Sequence, residues 1–359
     1  MATRPPHILV VRNDRLGDFM LAWPALALLR ASLPDASIAA LVPRYTESLA
    51  RVCPWIDEVL IDPGKDGPRS EQTALAKRVR EGRYDALLTL FSTFRVGWLG
   101  WRARIPVRVA PATKAAQLFY GQRVLQRRSR SEKPEYQYNM DLAEALVQTL
   151  GFPVVLPRAP FWPLSDDARL AERQMLRDRL GLDMGETWIF VHSGSGGSAN
   201  NLSIEQYAEL VARIDRQWAG QGALRSPRWI LTAGPGESEA LSQFMQLLHG
   251  KGMNPVPYES DRGLEAFARS LAAADLFIAG STGPLHVAGC LDVPTVGFFP
   301  GKRSSTALRW QPANGPGRTL GISPGSGMDH SDMSRVDVAH SADLILDFWR
   351  SIGRLHHRE

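Results

Sequence analysis

Cysteines and long apolar runs are scarce in this chain. Of its 359 residues only two are cysteines, Cys53 and Cys290. Because they lie far apart in the sequence, they form neither a disulfide framework nor a metal-ligand spacing, and we interpret both as core thiols. No run of about 18 apolar residues occurs, and the amino-terminal segment lacks the apolar stretch of a signal peptide. We therefore expect a soluble, cytoplasmic protein.

Two common nucleotide-binding motifs are also absent. The glycine-rich turn after His192 breaks the G-x-G-x-x-G spacing, since Ala199 occupies the position of the last glycine. The segment 297–303 is one residue short before Lys302 and has no Ser or Thr after it, so it is not a Walker loop. The dinucleotide fingerprint and the P-loop are therefore excluded at these two turns.

The remaining composition is that of a folded chain with two domains. Apolar residues make up 44% of it and charged residues 22%, and the length exceeds one ordinary domain. Strand-like apolar runs alternate with helical patterns in both halves, which indicates βαβ units and parallel sheets. The ten tryptophans are scattered without period, so we expect most of them in cores or interfaces. A cluster of prolines marks the linker between the domains: Pro153, Pro157, Pro160 and Pro163.

The predicted fold is α/β, with two Rossmann-like domains whose parallel sheets face a central cleft. We place the first domain at 1–160 and the second at 161–340. A final amphipathic helix within 341–359 could pack across either domain, including back onto the amino-terminal one. In the first domain a helical pattern extends over Phe19–Leu33 and is punctuated by Pro24.

Positive charge is concentrated in one segment of the first domain. The formal net charge is +5, and the segment 102–133 holds nine basic residues against one acidic residue, Glu132. Such a field attracts anionic partners and is screened by salt. Nucleic acid, anionic lipid and a phosphorylated saccharide all fit this charge. A solvated basic face without a dedicated partner is the structural alternative.

The most informative segment is Ala279–His286, which follows a strand-like run. It places a small-residue turn and Pro284 where a helix should begin, and proline is favoured in the first helical turn. Backbone N–H groups at such a helix start, together with the helix dipole, bind phosphate well. His286 could donate a hydrogen bond to the same anion. The structural alternative is that Ser281 or Thr282 only caps the helix.

Asp18 follows the first strand-like run and a tight turn at Gly17. A carboxylate at the end of a strand is placed to act as a general base toward a substrate hydroxyl. A lone Asp before a helix is more often an N-cap, which is the alternative here.

Two further turns in the second half of the chain carry candidate ligand-binding groups. The turn 193–198 alternates glycine and serine, whose N–H and hydroxyl groups suit phosphate oxygens. Glu237 follows a Gly-Pro-Gly turn and could accept hydrogen bonds from a ribose. Alternatively, Glu237 is a surface residue at the start of a helix, where its negative charge suits the helix dipole.

Taken together, these motifs resemble the lipopolysaccharide heptosyltransferases of glycosyltransferase family 9. The resemblance covers almost the whole chain and depends on several motifs in order: Arg12…Gly17-Asp18…Pro24, the 192–198 loop, Gly236-Glu237, and Ser281-Thr282-Gly283-Pro284-Leu285-His286 followed by Val293-Pro294-Thr295-Val296. It implies the GT-B fold and an inverting, metal-independent transfer from a nucleotide diphosphate sugar. The typical donor would be ADP-heptose, and the acceptor the lipopolysaccharide core at the cytoplasmic membrane face.

The resemblance also implies roles for individual residues. Asp18 would be the catalytic base, and Glu237 would bind the donor ribose. Other donor-binding residues would be Ser193, Gly194, Ser195, Gly196, Gly197, Ser198, Ser281, Thr282, Gly283, Pro284 and His286. For the anionic lipid-linked acceptor we predict Arg15, Arg95, Arg102, Arg104 and Lys114, with peripheral contact to the inner membrane. We expect no metal, no resident cofactor and no nucleic-acid partner.

Two positions depart from the family pattern. Ser281 stands where the family commonly has Asp, and Asn200-Asn201 stand near a usual Lys or Arg. The missing cation should weaken diphosphate binding unless Arg15, Lys302 or Arg303 replaces it. Two other functions therefore stay open, a nucleotide-sugar epimerase or hydrolase on the same scaffold and a nucleotide-sugar-binding protein without catalysis.

Overall fold

A computed structural model describes residues 4–113, 115–194, 200–219, 227–302, 304–325 and 331–356. The chain divides into two compact units, one of Met1–Arg128 with Lys133–Trp162 and the other of Ser129–Glu132 with Pro163–Glu359. The main change of unit falls at Pro163, the last proline of the predicted linker. Residues 129–132 differ from the sequence-based division, since they group with the second unit.

A six-stranded parallel sheet forms the centre of the first unit, in the order β3-β2-β1-β4-β5-β6. Its strands are β1 His7–Val11, β2 Ser37–Pro43, β3 Glu58–Asp62, β4 Ala86–Thr89, β5 Val107–Pro111 and β6 Gln122–Val124. Its helices are α1 Leu16–Met20, α2 Trp23–Ser32, α3 Glu47–Arg51, α4 Arg69–Glu81, α5 Phe94–Arg102 and α6 Glu135–Thr149. The central strands are apolar at nearly every position because helices cover both faces of the sheet.

The second unit repeats this architecture, with strand order β12-β11-β10-β7-β8-β9 and parallel pairing throughout. Its strands are β7 Trp188–His192, β8 Arg228–Ala233, β9 Val256–Glu259, β10 Leu276–Gly280, β11 Thr295–Phe298 and β12 Thr319–Ile322. Its helices are α7 Asp166–Leu180, α8 Ile204–Ala219, α9 Ser238–Gly250, α10 Gly263–Ser270, α11 Gly283–Cys290, α12 Ala307–Trp310 and α13 Val338–His356.

Both sheets have the Rossmann strand order, which confirms the predicted fold class. Strand order reverses beside the first strand of each sheet, between β1 and β4 in one unit and between β7 and β10 in the other. Ligands of open parallel sheets bind beyond the carboxyl ends of strands at such a switch point. Asp18 follows β1, Ser193 follows β7 and Thr282 follows β10, so all three lie beyond strands at these two places.

The helical pattern over Phe19–Leu33 forms two helices instead of one, α1 and α2. Pro24 lies in the first turn of α2. Proline has no N–H to donate to the carbonyl four residues earlier, so a helix can start at this residue but cannot run through it.

The carboxyl-terminal helix α13 belongs to the second unit. Ala342, Ile345 and Leu346 are part of that unit's apolar core, and α13 packs along α8, where the Trp218 and Trp349 rings lie 5.4 Å apart. Of the two packing partners left open for this helix, the second unit is the one whose core it joins. Within the described ranges, none of the helices has both the length and the apolar character needed to cross a bilayer.

Candidate functional site

Asp18 lies inside helix α1 and does not cap it. The N-cap position belongs to Arg15, and the Asp18 carboxylate instead accepts a hydrogen bond from Arg12 Nη2 at 2.6 Å. The Asp18 side chain is 17% exposed, so solvent or a substrate can reach it. Because Arg15 holds the N-cap position, the capping alternative for Asp18 is excluded. A partly exposed carboxylate remains just beyond the carboxyl end of β1.

The partner of Asp18 is a buried arginine shared among three carboxylates. Arg12 Nε lies 2.7 Å from Asp14, and Arg12 Nη1 lies 3.6 Å from Glu135 of helix α6. Burial lowers the pKa of Arg12, but the three carboxylates outweigh this effect and raise it above its ordinary value. The guanidinium therefore stays charged and fixes the carboxylates around it.

Asp14 differs from an ordinary surface carboxylate. Burial raises its pKa to about 6, the nearby Asp18 charge adds to the rise, and Arg12 opposes it. Tyr45 donates a hydrogen bond to the Asp14 backbone carbonyl at 2.8 Å. Sequence reasoning did not select Asp14, although it stands between Arg12 and Asp18 in the same turn.

A second buried carboxylate joins two loops at the same edge of the sheet. Asp62, at the end of β3, is 5% exposed and accepts hydrogen bonds from Asn13 and from Arg95, both at 2.5 Å. Arg95 is in the first turn of α5, and Asn13 is in the loop after β1. The network thus brings Arg95 to the edge that carries Asp18, where the exposed Arg15 also lies.

Two other residues predicted to bind the acceptor, Arg102 and Arg104, lie at or beyond the carboxyl end of α5. Helix α5 starts after the carboxyl end of β4 and runs back toward the amino end of β5. Its nine residues span roughly 13 Å at the usual rise per residue. Arg102 is the last residue of α5 and Arg104 follows it, so both lie at the far end of the helix from Arg95, and their contact with the acceptor stays a prediction. Lys114 lies outside the described residues.

In the second unit, Thr282 occupies the N-cap position of α11 without capping it. Its side chain accepts no hydrogen bond from the helix, and its Oγ1 is buried without any hydrogen-bond partner among the described atoms. The residue is 4% exposed. A buried hydroxyl normally has a partner, so this atom is unexplained by the fold alone. The capping alternative for Thr282 is excluded.

The neighbours of Thr282 in the sequence differ in their hydrogen bonding and burial. The Ser281 amide donates to the Phe298 carbonyl at 3.1 Å and is therefore engaged in the sheet. Gly283 and Pro284 open the first helical turn. The Gly283 amide has no intrahelical acceptor there, and Pro284 has no N–H to donate. His286 lies one turn into the helix and is 3% exposed.

Glu237 is held against the glycine turn that follows β7. One carboxylate oxygen accepts a hydrogen bond from the Gly234 amide at 2.7 Å and lies 3.6 Å from His192 Nε2. Burial lowers the pKa of His192, with the Glu237 charge opposing the shift. A Cβ at Gly194 would overlap the Glu237 carboxylate. A side chain at 194 would therefore displace the Glu237 carboxylate from its present position.

Asn201 fixes the far end of the same turn. Its amide donates to the Ser193 carbonyl at 3.0 Å, and its Oδ1 accepts from the buried Tyr207 hydroxyl at 2.7 Å. A Cβ at Gly280 would overlap the Asn201 side chain. Asn201 therefore joins the loops after β7 and β10, a structural role that its sequence position did not indicate. Ser195, Gly196, Gly197 and Ser198 lie outside the described residues.

Comparison with known proteins identifies the family. The sequence model of glycosyltransferase family 9 (heptosyltransferase) matches residues 72–316, which is more than half of the chain. A protein of Haemophilus influenzae is 44% identical over 97% of this chain and 99% of its own length, and its description goes no further than a glycosyltransferase. This chain belongs to glycosyltransferase family 9.

Relatives with more specific descriptions are more distant from this family 9 enzyme. Lipopolysaccharide heptosyltransferase 2 of Salmonella typhimurium is 23% identical, over 81% of this chain and 82% of its own. Among solved structures, E. coli ADP-heptose LPS heptosyltransferase II superimposes with a TM-score of 0.72 at 18% identity, covering 97% of this chain and 99% of that one. The Veillonella parvula family 9 structure gives 0.70, also at 18% identity, over 90% and 87% of the two chains. These structures establish the GT-B fold.

Polar groups lie in the loops at the carboxyl edge of the second unit's sheet. The loops after β7, β8 and β10 offer hydroxyl, amide and carboxylate groups. Among the described residues, no group of three His, Cys, Asp or Glu side chains is arranged to hold a metal ion. The enzyme is a heptosyltransferase-like glycosyltransferase. Family membership favours transfer over an epimerase or hydrolase, and over a nucleotide-sugar-binding protein without catalysis.

Proposed function

We propose that this enzyme transfers heptose from ADP-heptose to the saccharide core of lipopolysaccharide, with inversion and without a metal. The single observation that carries the donor half is the buried Thr282 hydroxyl at the start of α11, which has no hydrogen-bond partner among the described atoms. Next to it, the dipole and free amides of the helix start favour a diphosphate. Solved structures of E. coli WaaC hold ADP and ADP-2-deoxy-2-fluoro heptose, which supports ADP-heptose as the donor here.

The donor would contact three loops of the second unit. Thr282, Gly283, Pro284 and His286 would surround the diphosphate together with Ser193, Gly194 and the rest of the 193–198 turn. Glu237, oriented by the Gly234 amide, would accept hydrogen bonds from the ribose. Ser281 would face the sugar hydroxyls with a neutral hydroxyl where related enzymes commonly present an acid.

Asp18 of the first unit would be the base. Its carboxylate takes the proton from the acceptor hydroxyl as that oxygen forms a bond to the anomeric carbon. The bond from that carbon to the diphosphate oxygen breaks, and ADP leaves with the electron pair. Negative charge grows on the diphosphate during this step, so the amides and dipole at α11 stabilise the transition state more than the ground state.

A donor panel tests the proposal. Calorimetry with ADP-heptose, UDP-sugars and GDP-sugars should show the tightest binding for ADP-heptose, and turnover should require a lipopolysaccharide core acceptor. Release of free nucleotide or of an isomerised sugar without acceptor would contradict transfer. Preference for a UDP- or GDP-sugar would overturn the donor assignment while leaving the family unchanged.

A further inference from the structure

Helix α5 of the first unit exposes a row of large aromatic side chains. Phe94, Trp98 and Trp101 recur at the spacing of one helix face and are 63%, 42% and 49% exposed. Leu118 is 74% exposed and precedes Phe119, whose ring packs 4.8 Å from Phe94 and 5.9 Å from Trp98. We call Phe94, Trp98, Trp101 and Leu118 the aromatic face. Contiguous exposed apolar surface of this kind marks an interaction site.

The opposite side of α5 explains why this row points outward. Val96 is fully buried, and a Cβ at Gly100 would overlap Leu87 of strand β4. The helix is thus fixed on the sheet by its small residues. Its bulky residues cannot turn inward without lifting it off the sheet, so the aromatic face is a fixed feature of the surface.

The charge around the aromatic face is of one sign. The stretch 86–131 contains nine basic residues and no Asp or Glu. Four of its arginines are exposed and form no ion pair within the part of the chain that the structure describes: Arg102, Arg104, Arg123 and Arg127. Arg102 directly follows Trp101 on the helix. A partner for this surface must combine negative charge with an apolar layer.

An anionic membrane has this combination. Tryptophan and arginine are favoured at the boundary between headgroups and acyl chains, where the ring is apolar and the polar groups stay wet. Single-stranded nucleic acid also binds aromatic and basic surfaces, but it needs open ring faces for base stacking. The Trp98 and Trp101 rings stack on each other at 4.9 Å and also lie against Phe119, which leaves little open face for a base.

We propose that the aromatic face inserts into the interface of an anionic bilayer, with the surrounding arginines binding lipid headgroups. For Arg102 and Arg104, at the far end of α5 from Arg95, this role is lipid binding in addition to the predicted contact with the acceptor. It goes beyond the proposed transfer reaction and does not depend on the identity of the donor sugar. The surface would hold the enzyme at the place where a lipid-linked acceptor is found.

Vesicle co-sedimentation tests the inference without donor or acceptor. The wild-type chain should bind vesicles of phosphatidylglycerol and phosphatidylethanolamine, and bind phosphatidylcholine vesicles much more weakly. The Trp98→Ser/Trp101→Ser variant should bind the anionic vesicles at least about tenfold more weakly, because the buried ring area is lost. Arg102→Glu/Arg104→Glu should also reduce binding, with the loss greatest at low salt.

Leu170→Ser is the matched control, because Leu170 is 47% exposed on helix α7 of the second unit. It should bind vesicles as the wild type does. Leu118→Ser removes a highly exposed side chain and keeps the test valid if the double tryptophan variant proves unstable in thermal melts. Turnover of a water-soluble acceptor by the tryptophan variant should stay within about twofold of the wild type, which separates loss of membrane binding from loss of transfer.

Three outcomes would overturn the inference. The wild-type chain could fail to bind anionic vesicles, or the tryptophan and Leu118 variants could bind them as strongly as the wild type. Alternatively, sedimentation could reveal self-association that the tryptophan variant abolishes. That result would make the aromatic face an interface between two copies of the chain.

Discussion

The Asp18 carboxylate lies 2.6 Å from Nη2 of Arg12, a side chain that is only 3% exposed. The same guanidinium binds Asp14 through its Nε at 2.7 Å, so one arginine orients two carboxylates of one turn. Because Arg12 is itself fixed by Glu135 and Asn139 of α6, the direction of the Asp18 side chain is set by a helix distant in sequence. If Asp18 acts as the proposed base, its carboxylate would lose little freedom when an acceptor binds.

Replacing Asp18 by Asn should abolish most of the transfer activity. The amide keeps the shape of the side chain but cannot take the acceptor proton, so kcat should fall by about 10²–10⁴-fold. Affinity for ADP, measured by calorimetry, should change by less than about twofold because the donor groups lie in the second unit. Asp35→Asn, at an exposed position between α2 and β2, is the control and should leave both quantities unchanged. Near-normal turnover by folded Asp18→Asn protein would rule out the assigned base.

The sequence predicted the sheets and the loops of the site because both depend on local pattern. Strands buried on both faces are continuous apolar runs, and in parallel sheets the loops after neighbouring strands meet at one edge. Thr282 and Glu237 were selected as candidate donor-binding residues in this way. The sequence pattern did not show that Arg95 and Arg102 lie at opposite ends of one helix, α5. Only Arg95, in its first turn, is near the edge of the sheet that carries Asp18.

Other features could not be predicted because they depend on contacts between distant segments. Arg12 and Asn139 are 127 residues apart, and nothing in either segment indicates the pairing. The missing cap bond of Thr282 follows from the orientation of one side chain. The exposure of Trp98 and Trp101 follows from the close fit of Gly100 on Leu87, which fixes the opposite side of α5.

A methyl group at Gly194 should impair donor binding through Glu237. In Gly194→Ala the Cβ would occupy the space of the Glu237 carboxylate, and that carboxylate would have to leave the Gly234 amide. We expect ADP affinity to fall by at least about tenfold, since a charge-assisted hydrogen bond and the ribose contact are lost together. Gly250→Ala, where an added Cβ meets nothing within 4 Å, is the control. The stability of Gly250→Ala should be unchanged or higher by roughly 0.5–1 kcal/mol. If the two variants bind ADP equally well, Glu237 does not take part in donor binding.

Thr282→Val separates a structural role of this residue from a binding role. The substitution removes the buried Oγ1 that has no partner among the described atoms, so the thermal midpoint should be unchanged or higher. ADP affinity should nevertheless fall by roughly five- to tenfold, because a hydrogen bond to the diphosphate is lost.

Ser165→Ala is the matched control, since the Ser165 hydroxyl accepts a hydrogen bond from the Ala168 amide at 3.2 Å at the start of α7. It should lower stability by about 1 kcal/mol and leave ADP binding intact. The opposite pattern, a destabilised Thr282→Val that binds ADP normally, would show that the residue is only structural.

The raised pKa of Asp14 predicts a pH dependence of stability with a definite sign. Burial raises this pKa from an ordinary value of 3.8 to about 6, with the Asp18 charge adding to the rise. Between these values the folded chain holds a proton that the unfolded chain has released, so the contribution of Asp14 to the free energy of unfolding falls as pH rises. The slope is at most about 1.4 kcal/mol per pH unit, and the contribution becomes constant above the folded pKa.

Denaturant titrations of wild type and Asp14→Asn at intervals from about pH 4 to pH 8 would measure this contribution, since other titrating groups largely cancel in the difference. The stability of the wild type relative to Asp14→Asn should decline through the lower half of this range and then level off. Asp35→Asn should give a difference from wild type without such a decline in the same window. A wild-type advantage that grows with pH would mean that Arg12 stabilises the ionised Asp14 more than burial destabilises it.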